Sequence, residues 1–201
     1  GLTILETVLA SYPDGFFEQL KYGSQRVIEI HLAGDIVSYD ELEGSYTTLG
    51  GFANSVGVKN HAVVDITAGK EAVTKTFHHE IMHLIDYRLM FDSRIREDAV
   101  YSEEVWLAFN PDGFKYVEEY DKLPDGYYND NYDRYFIDNY ARTNSKEDRA
   151  RIMEYAIIGD GDKFPEGSAL REKLEYLCEC IRDTFDTTGW QDVTAWEKTL
   201  L

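Results

Sequence analysis

The clearest periodic signal lies in the middle of the chain. Val73, Phe77, Ile81, Leu84 and Ile85 recur at three- and four-residue spacings, with no Gly or Pro between Lys70 and Met90. That pattern predicts a helix with one apolar face. Just before it, His61-Ala62-Val63-Val64-Asp65-Ile66 is rich in β-branched residues and predicts a strand, with Thr67 and Gly69 leading into the helix. Residues 26–32 alternate weakly and predict a second strand. The glycine-rich run 50–57 is expected to form a hairpin with 61–66. It has neither the spacing nor the lysine of a phosphate-binding loop. Residues 2–10 and 14–21 read as helices split by Tyr12-Pro13-Asp14-Gly15. Residues 167–185 read as a long amphipathic helix, with Leu170, Leu174, Leu177, Cys178 and Ile181 on one side. Trp190 and Trp196 are expected to pin the C-terminal tail to the body.

After Asp92 the pattern loosens into aromatics mixed with turn residues, and 116–140 is rich in tyrosine and acid. The Asn/Asp alternation at 129–133 and the run Asp160-Gly161-Asp162 lack the glycine and terminal glutamate of a calcium loop, so both read as solvated turns. With 201 residues, 43% of them hydrophobic, the chain can build a core of its own. The expected organisation is a single domain over 1–201. An N-terminal lobe, 1–92, would carry the sheet and the central helix, and 93–201 would form a mainly helical C-terminal lobe.

Charge narrows the partners. A net charge of −18 argues against nucleic acid or an anionic membrane surface. No run of 18 apolar residues is long enough to span a membrane. No signal peptide is visible, and the start at Gly1 without a methionine reads as a processed chain. Cys178 and Cys180, one residue apart, point in different directions on a helix and read as free thiols. A monomer is the expected state.

The predicted central helix contains His79-Glu80-x-x-His83. Residues four apart lie one turn above each other on one face, so both imidazoles can converge on one ion. Neutral imidazole is a good zinc ligand, and Glu80 beside the first ligand can reach a water at the metal. His78 points about 100° away from His79 and is expected to pack rather than ligate. His31 and His61, single histidines at strand ends, are expected to be structural.

Zinc held by two histidines needs a third protein ligand. Asp86 is a poor candidate, since it rises about 10 Å beyond His79 on the same helix. Ser145 followed by Asp148 resembles a capping box and would place Glu147 in the first turn of a second helix. Glu147 is therefore the favoured ligand, with Asp148 and Glu154 as the fallbacks.

Taken together, His79-Glu80-x-x-His83 and a distant glutamate opening a second helix resemble a gluzincin metallopeptidase. Tyr140, seven residues before Glu147, and Asp86, three after His83, are similar in spacing to the anthrax lethal factor catalytic domain and the Pro-Pro endopeptidases. The resemblance covers about residues 60–155. The 68 positions from His79 to Glu147 exceed what that group implies, so an insertion over 95–132 is expected. The resemblance implies an α+β, zincin-like fold, with a small twisted sheet packed on the motif helix and a mainly helical C-terminal lobe. It also implies a secreted or cell-surface peptidase that cleaves peptide or protein substrates with Zn²⁺. In this reading His79, His83 and Glu147 hold the metal, Glu80 is the base and Tyr140 donates to the oxyanion. Asp86 would orient a ligand histidine, an ordinary surface aspartate being the plainer alternative. Gly51, Phe52 and Ala53 would form an edge strand that receives the substrate backbone, with a plain hairpin as the rival. Two other functions stay open: a non-catalytic zincin-like interaction module, and a zinc hydrolase acting on an amide that is not a peptide bond.

Overall fold

The computed structural model of the chain describes residues 1–41, 44–117 and 134–201. The second part of the expected insertion, 118–132, and the Asn/Asp run at 129–133 therefore lie outside the described residues. The fold is α+β, with a small mixed sheet and several helices.

Helix α1 (Leu2–Leu9) and the short α2 (Phe16–Gln19) flank the Tyr12–Gly15 turn, where Gly15 takes φ 76°. Strand β1 (Val27–Ala33) follows. An exposed hairpin, β2 (Val37–Asp40) and β3 (Ser45–Thr48), then precedes β4 (Gly51–Val56) and β5 (Lys59–Asp65). In the three-stranded sheet β5 is central, parallel to β1 and antiparallel to β4. The β4–β5 hairpin agrees with the sequence reading. The β2–β3 hairpin is absent from the sequence reading, because its strands are only four residues long and exposed throughout.

Asp65 makes the turn out of β5. Its Oδ1 accepts from Thr67 N at 2.7 Å and Thr67 Oγ1 at 2.6 Å, and its Oδ2 from Ile36 N at 3.3 Å. These bonds hold its carboxyl below the usual aspartate range and aim the chain into α3 (Lys70–Ile95). Gly69 caps α3 without a side-chain bond.

Helix α3 is the axis of the molecule. Ala62 and Val64 of β5 pack on one side of it, while α5 (Ser145–Ile157) and α6 (Ala169–Thr184) pack on the other. That double covering explains why Phe77 through Met82 are all buried, polar residues included. Between α3 and α5 lie α4 (Glu103–Ala108) and a 3₁₀ turn, Tyr140–Arg142. Trp196 is fully buried against Tyr12 and Phe16, so the tail is pinned as expected. Both cysteines are free and buried in α6.

Helix α5 corrects one expectation. Its cap is Asn144, whose Oδ1 accepts from Lys146 N and Glu147 N, both at 3.0 Å, rather than Ser145. Asp148 cannot close a capping box, because its carboxylate is buried on Lys173 Nζ of α6 at 2.7 Å.

Candidate metal centre

Successive residues of α5 point their charges at different partners, and this fixes where Glu147 goes. Asp148 turns to Lys173, and Arg149 turns to Asp86 of α3, with Nε to Oδ1 at 2.6 Å. Glu147, between the cap and these anchors, is left facing the histidines of α3. Its Oε2 lies 2.9 Å from His79 Nε2 and 3.5 Å from His83 Nε2. Ligand atoms of all three residues fall within 4.8 Å of one another. Donors bound tetrahedrally at 2.0–2.1 Å sit about 3.3 Å apart, and the two measured separations bracket that value. The borderline-soft imidazoles and one hard carboxylate, left with open space before them, suit a divalent metal of the zinc type.

Electrostatics point the same way. Burial would lower the His79 pKa, but hydrogen bonds to Glu147 and Glu154 outweigh it and hold the imidazole at about 9. Burial would likewise raise Glu147, yet the two imidazoles keep its carboxyl well below the usual glutamate range. The cluster is thus built to hold positive charge, whether a proton or a metal ion supplies it.

Glu80, on the neighbouring face of α3, sits under the sheet. Burial pushes its carboxyl up to about 7, and its Oε2 has no hydrogen-bond partner among the described residues. A cation at the triad would draw it back toward the carboxylate form. Gly51 makes this placement possible. A Cβ there would lie 2.8 Å from Glu80 Oε1 and 2.7 Å from the Val63 carbonyl oxygen, so only glycine lets β4 cross over the carboxylate.

These groups line one cleft of about 610 Å³, walled by Leu49, Gly51, Phe52 and Ala53 on one side and by Tyr140 and the start of α5 on the other. Gly51 and Ala53 belong to the edge strand. Gly50 O accepts from Asp65 N, and Gly51 and Ala53 stand opposite Val64 and Ala62. The alternation of an antiparallel ladder therefore turns the backbone N–H and C=O of Gly51 and Ala53 away from β5. Tyr87 Oη of α3 already donates to Ala53 O at 3.3 Å.

No protein-family profile, curated protein or solved structure matches the chain.

The structure brings Tyr140 to the cluster, its ring centroid 6.0 Å from that of His79. Partial burial and the Glu147 and Glu80 carboxylates push the phenol up, so it stays protonated at neutral pH. Asp138 holds its loop. One carboxylate oxygen accepts from Ala141 N at 3.1 Å, and the other accepts from Arg151 Nε at 2.9 Å.

Asp86 corrects the sequence reading. It is fully buried, its hydrogen bond goes to Arg149, and its second oxygen has no hydrogen-bond partner among the described residues. It is neither a surface aspartate nor hydrogen-bonded to a ligand histidine. The reason is its position on α3, which turns it toward α5 and the guanidinium there. The acid behind His79 is instead Glu154, whose Oε2 lies 3.5 Å from His79 Nδ1 and is held by Arg151. The sequence reading held Glu154 only as a fallback ligand; its seven-residue offset from Glu147, two helical turns on the same face, brings it to the other nitrogen of His79. His78 packs as expected, with Tyr12 Oη and its Nδ1 hydrogen-bonded at 3.1 Å.

Proposed function

We propose that this protein is a zinc-dependent metalloendopeptidase of gluzincin type on a zincin-like fold. The observation that carries the reading is the convergence of His79, His83 and Glu147 in a cleft that also holds Glu80, Tyr140 and an open strand edge. His79, His83 and Glu147 would hold the ion. Zinc, when bound, supplies Lewis acidity, polarising a carbonyl and acidifying water.

The protein's own groups supply the rest. The outward N–H and C=O groups of β4 can take an extended peptide as an added antiparallel strand, which lays its backbone across the cleft. Glu80, orphaned at Oε2 and shielded from solvent, takes a proton from water and passes it to the leaving amine. Tyr140, neutral and at the opposite wall, donates a hydrogen bond to the developing oxyanion without a prior proton shift. Glu154 fixes the ring of His79 from behind, which sets its orientation toward the ion. An interaction module would have use for neither Glu80 nor Tyr140. The substrate is a peptide or protein. No helix among the described residues is long and apolar enough to cross a membrane.

Paired substitutions test the assignment of roles. Glu147→Ala should weaken zinc binding measured by competition with a chromogenic chelator. Glu80→Gln should leave zinc bound and abolish turnover. Full zinc affinity in Glu147→Ala would remove Glu147 from the ligand set.

A further inference from the structure

The solvent-facing side of the three-stranded sheet carries a second convergence of metal-binding groups. Along β5, Ala62 and Val64 face α3, so His61 points the other way; along β1, Glu29 and His31 share that outer face. The parallel register sets Glu29 beside His61. His31 Nε2 and His61 Nδ1 lie 3.2 Å apart, and Glu29 Oε2 is 3.3 Å from each of them. Lys59 Nζ binds the other glutamate oxygen, Oε1, at 2.6 Å, which leaves Oε2 aimed between the two imidazoles.

We infer that Glu29, His31 and His61 form a second binding site for a divalent transition-metal ion, remote from the cleft and on the opposite face of the sheet. The geometry fits a shared ion. Three donors at 2.0–2.1 Å from a tetrahedral ion must be about 3.3 Å from one another, and all three separations here match within 0.1 Å. Two imidazoles and one carboxylate favour zinc, cobalt or nickel over calcium or magnesium, which prefer all-oxygen shells. The fourth position faces solvent, since His31 is about half exposed. Asn54 stands opposite His61 in the register, and its buried Oδ1 has no hydrogen-bond partner among the described residues.

The ligands come from two paired strands, so they are already held in place before any ion arrives. Binding requires His31 to carry its proton on Nδ1 and His61 on Nε2, freeing the converging nitrogens. An ion here would tie β1 to β5 across a separation of 30 residues. Binding the folded chain alone, it would raise the melting temperature. The strand it braces is the one on which the β4 edge is built.

Two measurements test the inference. Equilibrium dialysis against excess zinc should give about two ions per wild-type chain, and one fewer for the His31→Gln/His61→Gln variant. In wild-type protein, long-range ¹H–¹⁵N correlation spectra should show His31 Nε2 and His61 Nδ1 moving to metal-bound shifts as zinc is added. The spectra decide the matter even if the variant folds poorly. If the cleft triad binds nothing, wild type still takes up one ion and loses it with His31 and His61. Equal uptake by wild type and a folded variant, or unmoved His31 and His61 nitrogens at zinc saturation, would overturn the inference.

Discussion

Replacing Asp86 by Ala should destabilise the protein far more than a surface aspartate would allow. Asp86 and Arg149 both have side chains with 0% exposure, and their bond at 2.6 Å joins α3, which carries His79 and His83, to α5, which carries Glu147. Burial works against the Arg149 charge, but the Asp86 and Glu103 carboxylates hold the guanidinium firmly protonated. Glu103 Oε2 is 3.2 Å away and half exposed, so it cannot compensate the charge alone. Removing Asp86 therefore strands a buried cation, a loss of about 3–5 kcal/mol. That is a large share of a typical domain's stability. Asp86→Asn should fall between wild type and Asp86→Ala, because the amide still accepts from Arg149 Nε. The pair Asp86→Leu/Arg149→Met should recover most of the loss, since neither charge of the pair is then left buried without its partner. Urea denaturation in EDTA measures all four without metal linkage contributing. An Asp86→Ala variant within about 1 kcal/mol of wild type, or a double variant no better than the single, would refute the argument.

Gly51→Ala should cost about 1–3 kcal/mol by chemical denaturation and lower kcat, because the added methyl meets the Val63 carbonyl and Glu80 together. Tyr140→Phe should keep its zinc and its melting temperature while kcat falls by about 10²–10³, with a smaller change in KM. Burial pushes His78 down to about 4, against an ordinary value near 6.5. Its unfolded form therefore gains a proton first as pH falls, and stability should drop by up to about 3 kcal/mol between pH 6.5 and 4. Denaturation of EDTA-treated wild type and His78→Phe should show that this part of the slope belongs to His78.

The parts of the site set by local spacing were legible in the chain. The four-residue offset of His79 and His83 and the β-branched run before them gave the motif helix and its strand. The glycine-rich 50–57 run gave the partner of that strand. The parts set by long-range pairing were not legible. Asp86 reads as an aspartate that orients a ligand histidine, or as one on the helix surface, until Arg149, 63 residues on, is brought against it. Helix α5 hides its packing for the same reason, because Asp148, Arg149 and Glu154 are buried by ion pairing rather than by an apolar stripe. His31 and His61 looked like isolated structural residues. Only the parallel register of β1 and β5, which no local pattern encodes, makes them neighbours.

The most direct test of the central proposal is a mass-spectrometric digest of a diverse peptide library by zinc-loaded wild-type protein and by Glu80→Gln with its zinc content verified. The proposal predicts internal cleavage at a recurrent set of bonds by wild type and none by the variant. No cleavage of any library peptide by fully zinc-loaded wild type, or equal cleavage by Glu80→Gln, would contradict it.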